Sequence, residues 1–138
     1  MTRRGIYFTT HDVDRLSSLI KGFRTVQNLR EKRLDLLEKE LEKGIVVNPV
    51  DLPKDVITMN SRFSVTDAES NETTTYTLVY PSAADISENK LSILAPLGMA
   101  LIGRRAGDIV KWIVASGAKK AKIDKIIYQP DIPNNQEL

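Results

Sequence analysis

The periodicity of the chain changes at Gly44, and that change separates a helical part from a β-rich part. Residues 29–43 contain no Gly or Pro and are dense in Leu, Glu, Lys and Arg. Within them Leu34, Leu37 and Leu41 recur at the spacing of one helical face. Asp35 stands four residues before Lys39, a favourable order along a helix. Gly44 follows where a helix C-terminus calls for a residue tolerant of left-handed backbone. A second apolar stripe lies upstream: Val13, Leu16, Leu19, Ile20 and Phe23 share one helical face. It is preceded by Thr9-Thr10-His11-Asp12, a run of N-capping side chains, and Asp12 and Asp14 suit a helix N-terminus. Thr25, Val26 and Asn28 are poor helix formers, so a turn is expected over Arg24, Thr25, Val26, Gln27 and Asn28. The simplest arrangement is an antiparallel hairpin whose arms of about fifteen residues reach about 22 Å. One continuous bent helix is the alternative.

From Ile45 onward the signals are extended. Asn48-Pro49 and Leu52-Pro53 exclude helix and mark a connector. Strands are predicted over 56–65, 73–80, 91–94, 109–114 and 121–128 from their content of Val, Ile, Thr and Tyr. A polar hairpin loop occupies 67–72, and Pro81 ends the second strand. Residues 96–103 suit a short helix, with Pro96 in its first turn and Leu97, Ala100 and Leu101 on one side. Turns fall at 104–108 and at Ser116-Gly117, and 129–138 reads as a tail. The expected fold class is α+β. A helical hairpin over 1–44 precedes a small antiparallel sheet domain with one short helix over 45–138.

Composition removes several classes of chemistry. The 138 residues contain no Cys and one His, His11, so a disulfide framework, a thiol nucleophile and a multi-histidine metal site are excluded. His11 lies before the first helix, away from the sheet, and reads as a capping or surface residue rather than as part of a catalytic triad. No Walker loop, dinucleotide fingerprint or calcium loop is present. No apolar run approaches the 18 residues of a membrane span. Arg3 and Arg4 precede only Ile6-Tyr7-Phe8, too short for a signal-peptide core. Cytoplasmic location, with no membrane partner and no small-molecule substrate, is the expectation. Twenty basic residues against 18 acidic give a net charge of +2, too little to argue for nucleic-acid binding. The aromatic residues of the predicted strands, Tyr76, Tyr80, Trp112 and Tyr128, read as core or cross-strand residues rather than a base-stacking platform. Lys119, Lys120, Lys122 and Lys125 read as a solvated strand face.

The run from Leu91-Ser92-Ile93-Leu94-Ala95-Pro96-Leu97-Gly98 through Ala100-Leu101 and Gly103 to Gly107-Asp108 resembles the C-terminal domain of the GreA/GreB transcription factors. Those proteins carry a similar S-P-x-x-x-A-L-x-G-x-x-x-G-D pattern. Further similarity lies in Val56-Ile57-Thr58-Met59-Asn60-Ser61 and in Leu78-Val79-Tyr80-Pro81. The resemblance spans about residues 50–130. It implies an N-terminal antiparallel coiled-coil hairpin and an FKBP-like sheet domain. It also implies bacterial RNA polymerase as the partner, bound at the mouth of the secondary channel. Nucleic acid would be met only inside that complex. In the Gre factors, acidic residues at the hairpin tip help hold a metal for transcript cleavage, since Mg²⁺ prefers carboxylate oxygen. Here residues 23–30 contain no Asp or Glu, so no cleavage and no metal or other cofactor are expected. The Asp-Ser-Pro that Gre factors carry before the short helix is Leu94-Ala95-Pro96 here. The candidate polymerase contacts are therefore Leu94, Ala95, Pro96 and Leu97. The expected protein is a monomeric, non-enzymatic modulator that competes with Gre-type factors. Two alternatives are an adaptor dimerising through Leu34, Leu37 and Leu41, and a prolyl isomerase suggested by the FKBP-like fold.

Overall fold

The computed structural model describes residues 6–26 and 32–130. A short strand β1 (Tyr7–Thr9) leads into α1 (Thr10–Val26), and α2 (Lys32–Lys43) returns the chain to β2 (Ile45–Val47). β1 and β2 pair in parallel, Tyr7 opposite Ile45 and Thr9 opposite Val47. The helices fold back on each other: Arg24 forms ion pairs with both Asp35 and Glu38. On one continuous straight helix Arg24 and Glu38 would stand about 21 Å apart. The two helices therefore lie side by side rather than end to end, and residues 27–31, which join them, lie outside the described residues. The residues expected to form the turn divide between two places. Arg24, Thr25 and Val26 belong to the last turn of α1. Gln27 and Asn28, together with 29–31 at the expected start of the second helix, lie outside the described residues.

Both helical stripes are buried as their spacing requires. Leu16, Ile20, Leu34 and Leu37 are inaccessible or nearly so, while Val13, Leu19, Phe23 and Leu41 are partly covered. Thr9 caps α1, its Oγ1 accepting from the Asp12 amide at 3.0 Å. Gly44 has a different reason from the one its position suggested. It does not adopt a left-handed backbone; instead, a Cβ there would stand 2.1 Å from the Phe8 ring. The glycine lets a fully buried aromatic pass beneath the helix end.

The second part is a five-stranded sheet in the order β5-β4-β3-β7-β6. It comprises β3 (Arg62–Asp67), β4 (Thr73–Val79), β5 (Lys90–Ser92), β6 (Ile109–Val114) and β7 (Gly117–Tyr128), with α3 (Pro96–Leu101) packed beside β6. Three ladders are antiparallel, but β5 lies parallel to β4. The excursion between them, two 3-10 turns at Pro81–Ala83 and Ile86–Glu88, carries the chain back to the starting end of β4. That departs from the wholly antiparallel sheet expected. β7 accommodates an extra residue near Asp124 and another near Ile127 against β3, and such bulges bend and curl a sheet.

The first strand of this sheet is shorter than the predicted 56–65. Val56 makes a single bridge to Arg105, and residues 58–61 form a tight turn before β3 begins. Thr58 N donates to Ser61 Oγ at 2.9 Å, the two hydroxyls meet at 2.7 Å, and Asn60 sits at φ 66°. Hydroxyl side chains that bond their own backbone interrupt an extended run. α3 also turns a different side inward. Gly98, Met99 and Leu101 are its buried residues, with Leu97 and Ala100 only half-covered. At the far end Gln129 is buried rather than part of a free tail. Its Nε2 donates to the carbonyls of Pro53 at 3.1 Å and Val56 at 2.6 Å. Residues 131–138 lie outside the described residues.

One apolar cluster joins the two parts. Phe8, Leu16, Ile20, Leu34 and Leu37 are continuous with Ile57, Met59, Phe63, Leu78, Ile93, Leu101, Ile102 and Ile123. Polar links reinforce the junction. Asp12 is buried and its Oδ2 accepts from the Met59 amide at 3.0 Å. The Tyr7 amide donates to the Gly103 carbonyl at 2.9 Å. Arg15 lies over the Tyr80 ring, 4.6 Å from its centroid.

Candidate docking surfaces

The loop between β5 and α3 places the four predicted contact residues differently. Leu94 is buried and belongs to the core, so its side chain closes the domain rather than facing a partner. Ala95 and Leu97 are half-buried, and Pro96 is exposed. The loop is pinned from behind by Ser92, whose Oγ accepts from Leu94 N and whose carbonyl accepts from Ala95 N, both at 3.0 Å. Ala95 is the N-cap of α3 and has no side-chain acceptor for the first-turn amides. Pro96, at the first helical position, has no amide to satisfy. Loop geometry is thus kept by backbone and Ser92, while the exposed tip is apolar.

At the far end of the helix pair, Arg24 is the organising side chain. It pairs with Asp35 and, at 3.1 Å, with Glu38. The hydrogen bond to Glu38 and the charges of both carboxylates raise the guanidinium's pKa further above its already high value. Arg24, expected in the turn, is instead a paired side chain of the last turn of α1. The pairing also shows which carboxylates sequence reasoning overlooked: Asp35 is spent on Arg24, not on Lys39.

His11 is exposed, with its Nε2 3.5 Å from Arg15 Nη1. Tyr76 packs against Phe63, ring centroids 6.4 Å apart, and Lys119 reaches Asp67 at 3.6 Å. Leu34 and Leu37, of the three leucines a dimerising adaptor would use, are buried within one chain, and Leu41 is partly covered. Among the described residues no helix is long and apolar enough to cross a membrane.

Residues 52–128 match the family model of the C-terminal region of the transcription elongation factors GreA/GreB. The chain belongs to the GreA/GreB family. It is 38% identical over 98 residues to the regulator of nucleoside diphosphate kinase of Escherichia coli (strain K12), a match covering 70% of this chain and 72% of that protein. It is 33% identical over 97 residues to transcription elongation factor GreA of Clostridium botulinum (strain Eklund 17B / Type B), covering 70% of this chain and 61% of that factor. Among solved structures, a GreA/GreB transcription elongation factor from Nitrosomonas europaea superposes with a TM-score of 0.73 at 35% identity. That likeness covers 91% of this chain and all of the other. The GreA/GreB relatives are transcription factors or regulators, and this chain is a transcription elongation factor-like protein. The GreA/GreB match begins at Leu52 and so leaves α1 and α2 outside it.

Proposed function

We propose that this chain binds bacterial RNA polymerase at the mouth of the secondary channel, as a monomer in the cytoplasm. There it competes with Gre-type factors without stimulating transcript cleavage. The helix pair acts as a short coiled-coil hairpin on an FKBP-like domain, and residues 1–44 and 45–138 are its two functional units. The contact residues are Ala95, Pro96 and Leu97, with the distal turn of α1 directed into the channel.

The observation that carries the non-cleaving part is the double ion pair of Arg24 with Asp35 and Glu38. A cleavage-stimulating tip must offer carboxylate oxygen to Mg²⁺. Among the described residues Asp35 and Glu38 already hold a cation, and Glu31, the carboxylate nearest the tip in the sequence, stands between Arg30 and Lys32 and outside the described residues. The docking part is supported by family membership and by a loop whose geometry is pinned through Ser92 while Pro96 stays exposed. Replacement of an acidic, hydroxyl-bearing motif by Leu94-Ala95 removes polar contacts, so binding is expected to be weaker than that of a Gre factor. The test is binding of labelled chain to purified core RNA polymerase, with GreA titrated as competitor. Saturable binding that GreA displaces supports the reading; no binding at about 10 µM overturns it.

A further inference from the structure

A groove of about 630 Å³ runs between α2 and the outer strand β6, with α3 as its floor. β6 is an edge strand, paired only with β7. A two-residue turn joins Val114 to Gly117. Alternation along the antiparallel ladder from that turn points the backbone groups of Ile109, Lys111 and Ile113 away from β7. The same edge is unusually apolar for one open to water. Ile109 is 61% and Ile113 75% exposed, and Leu36 faces them from α2 at 50%. An exposed apolar strand edge is a template for another strand.

The rim of the groove is basic. Lys39 and Lys43 border it from α2 and Lys111 from β6. Among the described residues none of these three takes part in an ion pair. The single carboxylate in the lining, Glu40, lies 3.7 Å from Arg104, so it does not offset the three lysines.

We infer that this groove accepts an extended acidic segment of a partner protein, which adds as a further strand along β6. Main-chain hydrogen bonds to Ile109, Lys111 and Ile113 supply the affinity, as in other strand additions. Apolar side chains of the segment cover Leu36 and Met99 on the groove floor, and its carboxylates reach the rim lysines Lys39, Lys43 and Lys111. The inference stands apart from the polymerase reading and is tested without polymerase.

Trp112 is the chain's single tryptophan and lines the groove, so its emission reports occupancy. The probe is a peptide of about ten residues alternating valine and glutamate, compared with its valine–lysine counterpart. The acidic peptide is expected to shift Trp112 emission saturably and to slow amide exchange at Ile109, Lys111 and Ile113 at least about tenfold. The doubly substituted Lys39→Glu, Lys43→Glu protein, altered only at exposed positions, should lose most of the response while keeping its melting temperature. Lys111→Glu should do the same from the opposite rim. Absence of any shift up to about 1 mM peptide, or an equal response to both peptides, overturns the inference. So does a shift without slowed exchange on β6. A Trp112 shift that depends on protein concentration alone, with dimers in sedimentation, would assign the groove to a second copy instead.

Discussion

The two ends of the helix pair are held by different physics. At the base, Phe8 passes under Gly44, Asp12 accepts from the Met59 amide, and Tyr7 donates to the Gly103 carbonyl, all within or against the buried cluster. At the far end, the described cross-helix links are ion pairs of a partly exposed Arg24. Buried contacts that leave an amide unsatisfied when broken cost far more than surface ion pairs. The orientation of the helices on the sheet is therefore fixed at the base, while the distal charge pattern is free to vary with little effect on folding.

That contrast gives a ranked set of outcomes. Gly103 adopts φ +79°, and a Cβ there would meet Ile6 Cγ2 at 2.5 Å and the Tyr7 carbonyl oxygen at 2.9 Å. Gly103→Ala should cost about 3 kcal/mol through overpacking and backbone strain. That corresponds to about 10 °C in a thermal melt for a chain of this size. A loss below about 1 kcal/mol would mean that the base is not rigid, and the comparison would break there.

Asp12→Ala removes the acceptor for a buried amide and should cost about 2 kcal/mol in urea unfolding. Faster exchange of the Met59 amide should accompany it. Asp12→Asn retains an acceptor and should recover part of the loss. Equal losses for the two variants would show that charge, not the hydrogen bond, ties α1 to the turn before β3.

Arg24→Ala should change the thermal melt far less than either substitution at the base, an effect that shrinks further in salt. A comparable loss would place the far end on the same footing as the base. The smallest effect is a pH dependence in the hairpin loop after β3. Backbone amides of Ser70 and Glu69, and then the Lys119 ammonium, hold the Asp67 carboxyl below its usual 3.8. A depressed folded-state pKa gives stability that is present above the unfolded value and lost as pH falls through the folded one. The stability gap between the natural chain and Asp67→Asn should therefore narrow as pH is lowered below about 4. A gap unchanged between pH 6 and pH 3 would contradict the assignment.

Local signals were legible where one element decided its own fate. The stripes through Leu16 and Ile20 and through Leu34 and Leu37 announced their helices. The loop at 67–72 and the turn at Ser116 announced their hairpins. Signals that depend on distant partners were not legible. Tyr7–Thr9 and Ile45–Val47 are three-residue strands, too short to show alternation, and each exists because the other is brought beside it. Gly44 read as a helix terminator because its actual constraint, the Phe8 ring, lies 36 positions away. The Thr58–Ser61 turn was hidden because its residue types also suit a strand, and only their mutual hydrogen bonds exclude one. In the docking loop Leu94 turns into the core while Pro96 stays exposed, and the sequence of an apolar loop carries no local sign of which residue faces inward.

The proposed occupancy of the channel mouth should leave the transcript intact. The most direct measurement follows transcript length in backtracked elongation complexes. These receive the chain alone, or a fixed dose of GreA with increasing amounts of the chain. No shortening is expected with the chain alone, and GreA-dependent shortening should fall progressively as the chain is added. Shortened transcripts with the chain alone, or GreA cleavage unaffected by a large excess of it, would overturn the proposed function.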